Sequence, residues 1–122
     1  MEERFGAGPV RFLAAMNAIK VSTQHKAHRA VVTLVGEHEG YAAQKLEREL
    51  ADLLDEGLHV EVDLRNALFI DSQVAAVLVA ARKRADAEHV QLDVTVGDET
   101  GWSVLRLLDV TGLASFLGVV RR

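Results

Sequence analysis

The chain has 122 residues, 49% of them hydrophobic and 26% charged, with 14 Lys+Arg against 18 Asp+Glu for a formal charge of −4. That length and mix suit one folded soluble domain with its own core, and the acidic balance argues against a nucleic-acid partner. Cysteine is absent, which excludes a disulfide framework, a thiolate metal site and a cysteine nucleophile together.

Residues 1–17 read as an N-terminal extension carrying the only proline, Pro9, together with Gly6 and Gly8. Its apolar piece, Phe12 to Ala15, is too short for a signal-peptide core and follows Glu2 and Glu3 rather than basic residues. No uncharged apolar run approaches the roughly 18 residues of a membrane span, so a cytoplasmic protein is expected. The domain proper is placed at residues 18–120. Ile19 to Thr23 alternates apolar and polar, a strand signal. After the polar stretch Gln24–Arg29, the β-branched run Ala30–Val35 completes a hairpin that Gly36 is expected to end. His25 and His28 have ligand-like spacing, but on a turn with no third ligand nearby they read as solvated.

Tyr41 to Glu56 is a helix, with Ala43, Leu46, Leu50, Leu53 and Leu54 in one apolar stripe and Gly57 placed to cap it. The strands His59–Leu64 and Val90–Val96 alternate cleanly, so Glu61, Asp63 and Asp93 are expected on a wetter face opposite the helices. Between them lie an apolar strand, Leu68–Ile70, the pair Asp71-Ser72, and a helix from Gln73 to Ala87. That helix turns Val74, Val77, Leu78, Ala81 and Ala85 inward. The loop Gly97–Gly101 leads into a last helix, Trp102 to Val110, with Val104, Leu105 and Leu108 inward; Leu113–Val120 reads as a final strand or turn. The fold class is α/β, a single domain in the order β-β-α-β-α-β-α, with right-handed crossovers and a mixed sheet carrying its helices mainly on one face.

No catalytic constellation emerges. Gly97-Asp-Glu-Thr-Gly-Trp-Ser103 lacks the lysine of a phosphate-binding loop. Glu37-His38-Glu39 is not a zinc motif, because position 42 is alanine. Ser72 beside Asp71 has no intervening histidine to activate it. The expectation is a non-enzyme with no metal and no cofactor. On local sequence alone Asp71-Ser72 reads as a helix cap, worth about 1 kcal/mol.

Three stretches, taken in order, carry a resemblance. Val35-Gly-Glu-His-Glu39 is similar to a G-E-L-D signature before a first helix. Val60-Glu-Val-Asp-Leu-Arg-Asn-Ala-Leu-Phe-Ile-Asp-Ser72 is similar to a strand-turn-strand ending in D-S, and Leu107-Leu-Asp-Val-Thr-Gly-Leu113 to an L-x-x-x-G-L pattern. Together they resemble the STAS family, shared by anti-sigma factor antagonists and the cytosolic tails of sulfate transporters. The resemblance implies an anti-sigma factor antagonist, a protein-binding module for an anti-sigma factor with GHKL-type kinase activity, which phosphorylates the serine after the aspartate. Carried over, Ser72 is the phosphorylation site, and Glu37, Glu39, Asp71, Ser72, Gln73 and Val74 are partner-binding residues. The family's D-S-[ST]-G-x-G reads Asp71-Ser72-Gln73-Val74-Ala75-Ala76 here, with both glycines gone, and His38-Glu39 stand where Leu-Asp is usual. Those departures resemble stressosome-type members. The resemblance therefore also admits a self-associating scaffold, including a homodimer, or a non-phosphorylated accessory subunit of a lipid or anion transporter.

Overall fold

The β-branched run after the extension folds into the hairpin that its alternation predicts. β1 (Ala18–Gln24) pairs antiparallel with β2 (Arg29–His38), around a 3-10 turn at His25–Ala27 that closes on a left-handed His28. The computed structural model describes residues 17–122, so the expected extension lies, apart from Asn17, outside the described residues.

β2 does not stop at Gly36. It bulges between Gly36 and Glu37 and runs on to His38. Its first half pairs parallel with β3 (His59–Asp63), its second half with β4 (Ala67–Ile70). β5 (Leu92–Val96) adds parallel to β3, and β6 (Val120–Arg121) parallel to β5. The strand order is β1-β2-β3-β5-β6, with β4 beside the far half of β2. The sheet is mixed, as expected; β4 is the short apolar strand read at Leu68–Ile70 and β6 falls at the end of the stretch read as a final strand or turn, neither of them counted in the order β-β-α-β-α-β-α. Both are too short to show a period of their own and exist through their distant partners.

The helices are α1 (Tyr41–Asp55), α2 (Ser72–Ala87), α3 (Trp102–Val110) and the single turn α4 (Leu113–Phe116). Leu46, Leu50 and Leu54 of α1, Leu78, Ala81 and Ala85 of α2, and Val104 and Leu108 of α3 join Val32, Leu34, Val62 and Val94 of the sheet in one core. Each leucine fully buried there contributes about 1.5–3 kcal/mol. The helices thus share one face of the sheet. Arg84 of α2 ties the pair of long helices together from outside, donating to the Asp55 carboxylate and the Ala51 carbonyl of α1.

The opposite face corrects an expectation. Glu61 and Asp63 are not wet: they are 6% and 4% exposed, while Asp93 is half-buried. The cover comes from arginines. Arg29 donates to Glu61 Oε1 at 3.0 Å and the buried Thr95 hydroxyl to Oε2 at 3.0 Å, with Arg122 3.6 Å from the same oxygen. Arg65 holds Asp63 with its backbone N–H and Nε on Oδ1 and Nη2 on Oδ2, all within 3.0 Å. Alternation assigned these acids to the right face; the arginines over Glu61 are distant in sequence, whereas Asp63 is held by Arg65, two residues on, folding back across the turn.

Arg65's side-chain hydrogen bonds hold the Asp63 carboxyl below its ordinary value, against the opposing effect of burial. A carboxylate depressed in the folded state stabilises fully above the unfolded pKa, and that contribution fades as pH falls through the folded pKa. Asp63→Asn should therefore cost stability at neutral pH, and its deficit should shrink steadily below about pH 4. Urea midpoints measured from pH 7 down to pH 3 check this; a deficit constant across that range would contradict it.

Candidate functional site

Parallel strands followed by helices leave their connecting loops on one rim of the sheet. Here the rim gathers the loops after β2, β4 and β5, and with them the N-termini of α1, α2 and α3. Asp71 organises the first two. It sits in extended backbone (φ −93, ψ 177) immediately before α2, and the Val74 N–H donates to its Oδ1 at 2.9 Å. The Gly40 N–H, at the start of α1, donates to Oδ2 at 2.9 Å. Its own N–H donates to the His38 carbonyl at 3.2 Å. Gly40 itself lies at φ 61, ψ −120, a conformation essentially restricted to glycine.

The third loop is locked against β4. The Gly101 N–H donates to the Ala67 carbonyl at 2.8 Å and the Ser103 hydroxyl to the Leu68 carbonyl at 3.2 Å. A Cβ on Gly101 would stand 2.1 Å from the Leu68 oxygen, so the approach requires glycine.

Within this frame the cap is Asp71 and not Ser72. Ser72 is the first residue of α2, exposed, and its hydroxyl has no hydrogen-bond partner among the described residues. Gln73, Glu37 and Glu39 are also exposed on the rim. Val74 is not: it is 0% exposed and belongs to the core, so its side chain cannot meet a partner. The Asp71 carboxylate is likewise engaged, both oxygens being taken by backbone N–H groups. Ser72→Ala should therefore change stability by less than about 0.5 kcal/mol, whereas Asp71→Ala should cost about 1–3 kcal/mol for a lost cap and a second charge-assisted hydrogen bond. Parallel thermal melts decide it; equal losses would return the capping role to Ser72.

Glu37-His38-Glu39 does not converge. His38 is 4% exposed, and its Nε2–H donates to the Val35 carbonyl at 2.8 Å, a carbonyl being able only to accept. The two glutamates point away into solvent. Among the described residues no three histidine, aspartate or glutamate side chains are grouped to hold a metal ion, and no helix is long and apolar enough to cross a membrane.

Residues 21–120 match the family profile described as Mlab, STAS domain. The chain belongs to the STAS family. Curated proteins returned no match. Among solved structures, this STAS domain is similar to an anti-sigma factor antagonist from Mycobacterium paratuberculosis, at 20% identity and a TM-score of 0.71 over 84% of this chain and 83% of that one. It is also similar to the Bacillus cell fate determinant SpoIIAA in its phosphorylated form, at 12% identity and a TM-score of 0.67, covering 86% and 91%. The unphosphorylated anti-sigma factor antagonist SpoIIAA aligns at 12% identity with a TM-score of 0.62, covering 75% and 82%. At these identities the likeness is one of fold.

The rim of this STAS domain carries two side chains that the sequence reading passed over. Tyr41 is 85% exposed and Trp102 72% exposed. Each is the first residue of its helix, directly after a glycine cap, and each lies off its helix's apolar stripe. Arg106 stacks its guanidinium 5.3 Å from the Trp102 ring centre. Leu68, exposed on β4, adds apolar surface next to the Gly101 loop. An aromatic that directly follows a cap glycine and misses the inward stripe was the available signal.

Proposed function

We propose that this STAS domain is an anti-sigma factor antagonist that binds an anti-sigma factor kinase through the rim around Ser72 and is released when that serine is phosphorylated. The observation that carries the reading is the exposed Ser72 hydroxyl, which has no hydrogen-bond partner among the described residues because Asp71 caps the helix in its place. The kinase would transfer the γ-phosphoryl of ATP to Oγ; the Oγ–P bond forms, the bond to the β-phosphate oxygen breaks, ADP leaves and the hydroxyl proton passes to the kinase's base. The product adds a charge of about −1.5 to −2 at the start of α2, where free N–H groups let the fold tolerate it. A partner packed over that point would have to desolvate the dianion, and any acidic group it presented there would be repelled.

Glu37, Glu39, Ser72 and Gln73 supply the polar part of the proposed surface. Tyr41 and Trp102 supply aromatic anchors of the kind that dominate interface energies. Affinity capture from the native host, with mass spectrometry of both partner and Ser72, tests the reading. The captured protein should be a kinase-type anti-sigma factor that modifies Ser72 when given ATP, and binding should fall by about a hundredfold or more upon modification. A folded Gln73→Arg, Glu39→Lys double variant should lose capture. Undiminished capture by that variant refutes the surface, and a captured transporter ATPase with Ser72 left unmodified replaces the reading with that of an accessory subunit.

A further inference from the structure

A groove runs down from the rim between β1 and α1. Ile19 and Ala42, both half-buried, line its apolar part, and the exposed Tyr41 stands at its rim end. Lys45 and Arg48 border it farther down α1. Glu49 and Asp52 follow them at the four-residue spacing of helix ion pairs, yet among the described residues neither cation forms an ion pair. The groove also reaches the buried His38, whose Nε2–H is given to Val35 and whose other ring nitrogen has no partner among the described residues. Its volume is about 400 Å³, room for two large side chains. The fitting occupant is apolar near the rim, acidic farther down, and able to give an N–H.

The chain carries such a segment at the mouth of the groove. Asn17 lines the groove and is held there, its Oδ1 accepting the Glu37 N–H at 2.9 Å. Phe12 and Leu13 come five and four positions before it. An extended chain reaches about 3.3–3.6 Å per residue, so these two side chains can span roughly 13–18 Å from Asn17. The stretch of α1 from Tyr41 to Arg48 rises only about 10 Å. Glu2 and Glu3 lie far enough back to reach Lys45 and Arg48 as well. A tether this short keeps the segment at an effective concentration in the millimolar range, which a separate chain of the same chemistry does not match in dilute solution.

We propose that the groove between β1 and α1 receives the chain's own N-terminal segment, with Phe12 and Leu13 on Ile19, Ala42 and Tyr41, and Glu2 and Glu3 against Lys45 and Arg48. The segment then covers Tyr41, one of the two aromatic anchors of the rim. Its regulatory output rests on the reading of that rim as the partner surface. The partner meets a complete surface only in the fraction of molecules whose groove is empty, and its apparent affinity falls by that fraction.

Tyr41 and Trp102 are the only tyrosine and tryptophan of the chain, so each gives one ring to follow by NMR, with no partner present. The probe is hydroxy-TEMPO, a neutral nitroxide that broadens exposed ring protons, and the reading is the broadening of Tyr41 relative to Trp102. In the whole 122-residue chain, Phe12→Ser with Leu13→Ser should raise that ratio about twofold or more over the parent. Lys45→Glu with Arg48→Glu should raise it too, and adding Glu2→Lys with Glu3→Lys should return it to the parent value. An unchanged ratio in the serine variant would overturn the proposal, as would a charge exchange that restores nothing. A parent ratio that climbs on dilution would give the groove to a second copy and overturn it as well. None of these results touches the reading of Ser72. Conversely, a partner that ignores the rim removes the regulatory output and leaves the nitroxide contrast intact.

Discussion

Val74→Glu should leave the protein unfolded at neutral pH, not folded and unable to bind. Val74 lies in the first turn of α2, fully enclosed within the core. A glutamate there must either bury a carboxylate with no partner or lift the start of α2 off the sheet, and it must also find room in a close-packed site. The combined cost is about 5 kcal/mol or more, comparable with the whole stability of a domain this size. Far-UV circular dichroism and a thermal melt read the outcome directly. A cooperative transition within a few degrees of the parent would show that the position is not core. Its neighbour makes the contrast sharp: Gln73→Arg, on an exposed residue, should shift stability by less than about 0.5 kcal/mol.

Glu61→Ala should be the most damaging change on the opposite face of the sheet. It removes the acceptor for Arg29 and for the Thr95 hydroxyl, which is 0% exposed and cannot turn to water. Arg29 is half-exposed and rehydrates, which keeps the loss below that of a fully enclosed ion pair. About 2–4 kcal/mol is expected, read as a fall in the urea midpoint at constant slope. Adding Thr95→Val and placing leucine at 61 should recover about 1 kcal/mol or more, because the orphaned hydroxyl is gone and apolar contact replaces it. A Glu61→Ala loss under about 1 kcal/mol would mean that the buried acid is tolerated rather than used.

These two variants mark where sequence reading held and where it stopped. The α1 stripe, Leu46-Leu50-Leu54, is legible because a 3.6-residue period is local, and it forms the core as expected. Val74 is also legible as part of the α2 stripe, but it stands in the motif beside Ser72 as well, and the motif placed it on the surface. Packing decides between them. Alternation put Glu61 and Asp63 on the correct face and missed their burial, since Arg29 and Arg122 reach Glu61 from distant parts of the chain and Arg65 meets Asp63 only because the turn after β3 folds it back. The end of β2 was misplaced because Gly36 ends strands in general; this one continues through a bulge because β4, some thirty residues on, offers it new hydrogen bonds. At the site, Glu37, Glu39, Ser72 and Gln73 lie exposed on one rim. Which of two adjacent capping residues caps α2 depends on the extended backbone at Asp71, and composition cannot reveal that.

The division of β2 between two neighbours also sets an order of assembly. The β1–β2 hairpin joins residues close in the chain and can form within about 1–10 μs. Every parallel pairing must first close a loop of roughly 25–35 residues, with a helix to be packed in between. β2 therefore enters the folding reaction with one edge already occupied and the other a template, first for β3 and then, beyond the bulge, for β4. The strand that delivers Asp71 and Ser72 is four residues long and takes its ladder bonds from the far half of that template. The rim around Ser72 is thus joined to the sheet through only three paired positions, a natural place for the native state to open locally while its hairpin and helical core stay closed.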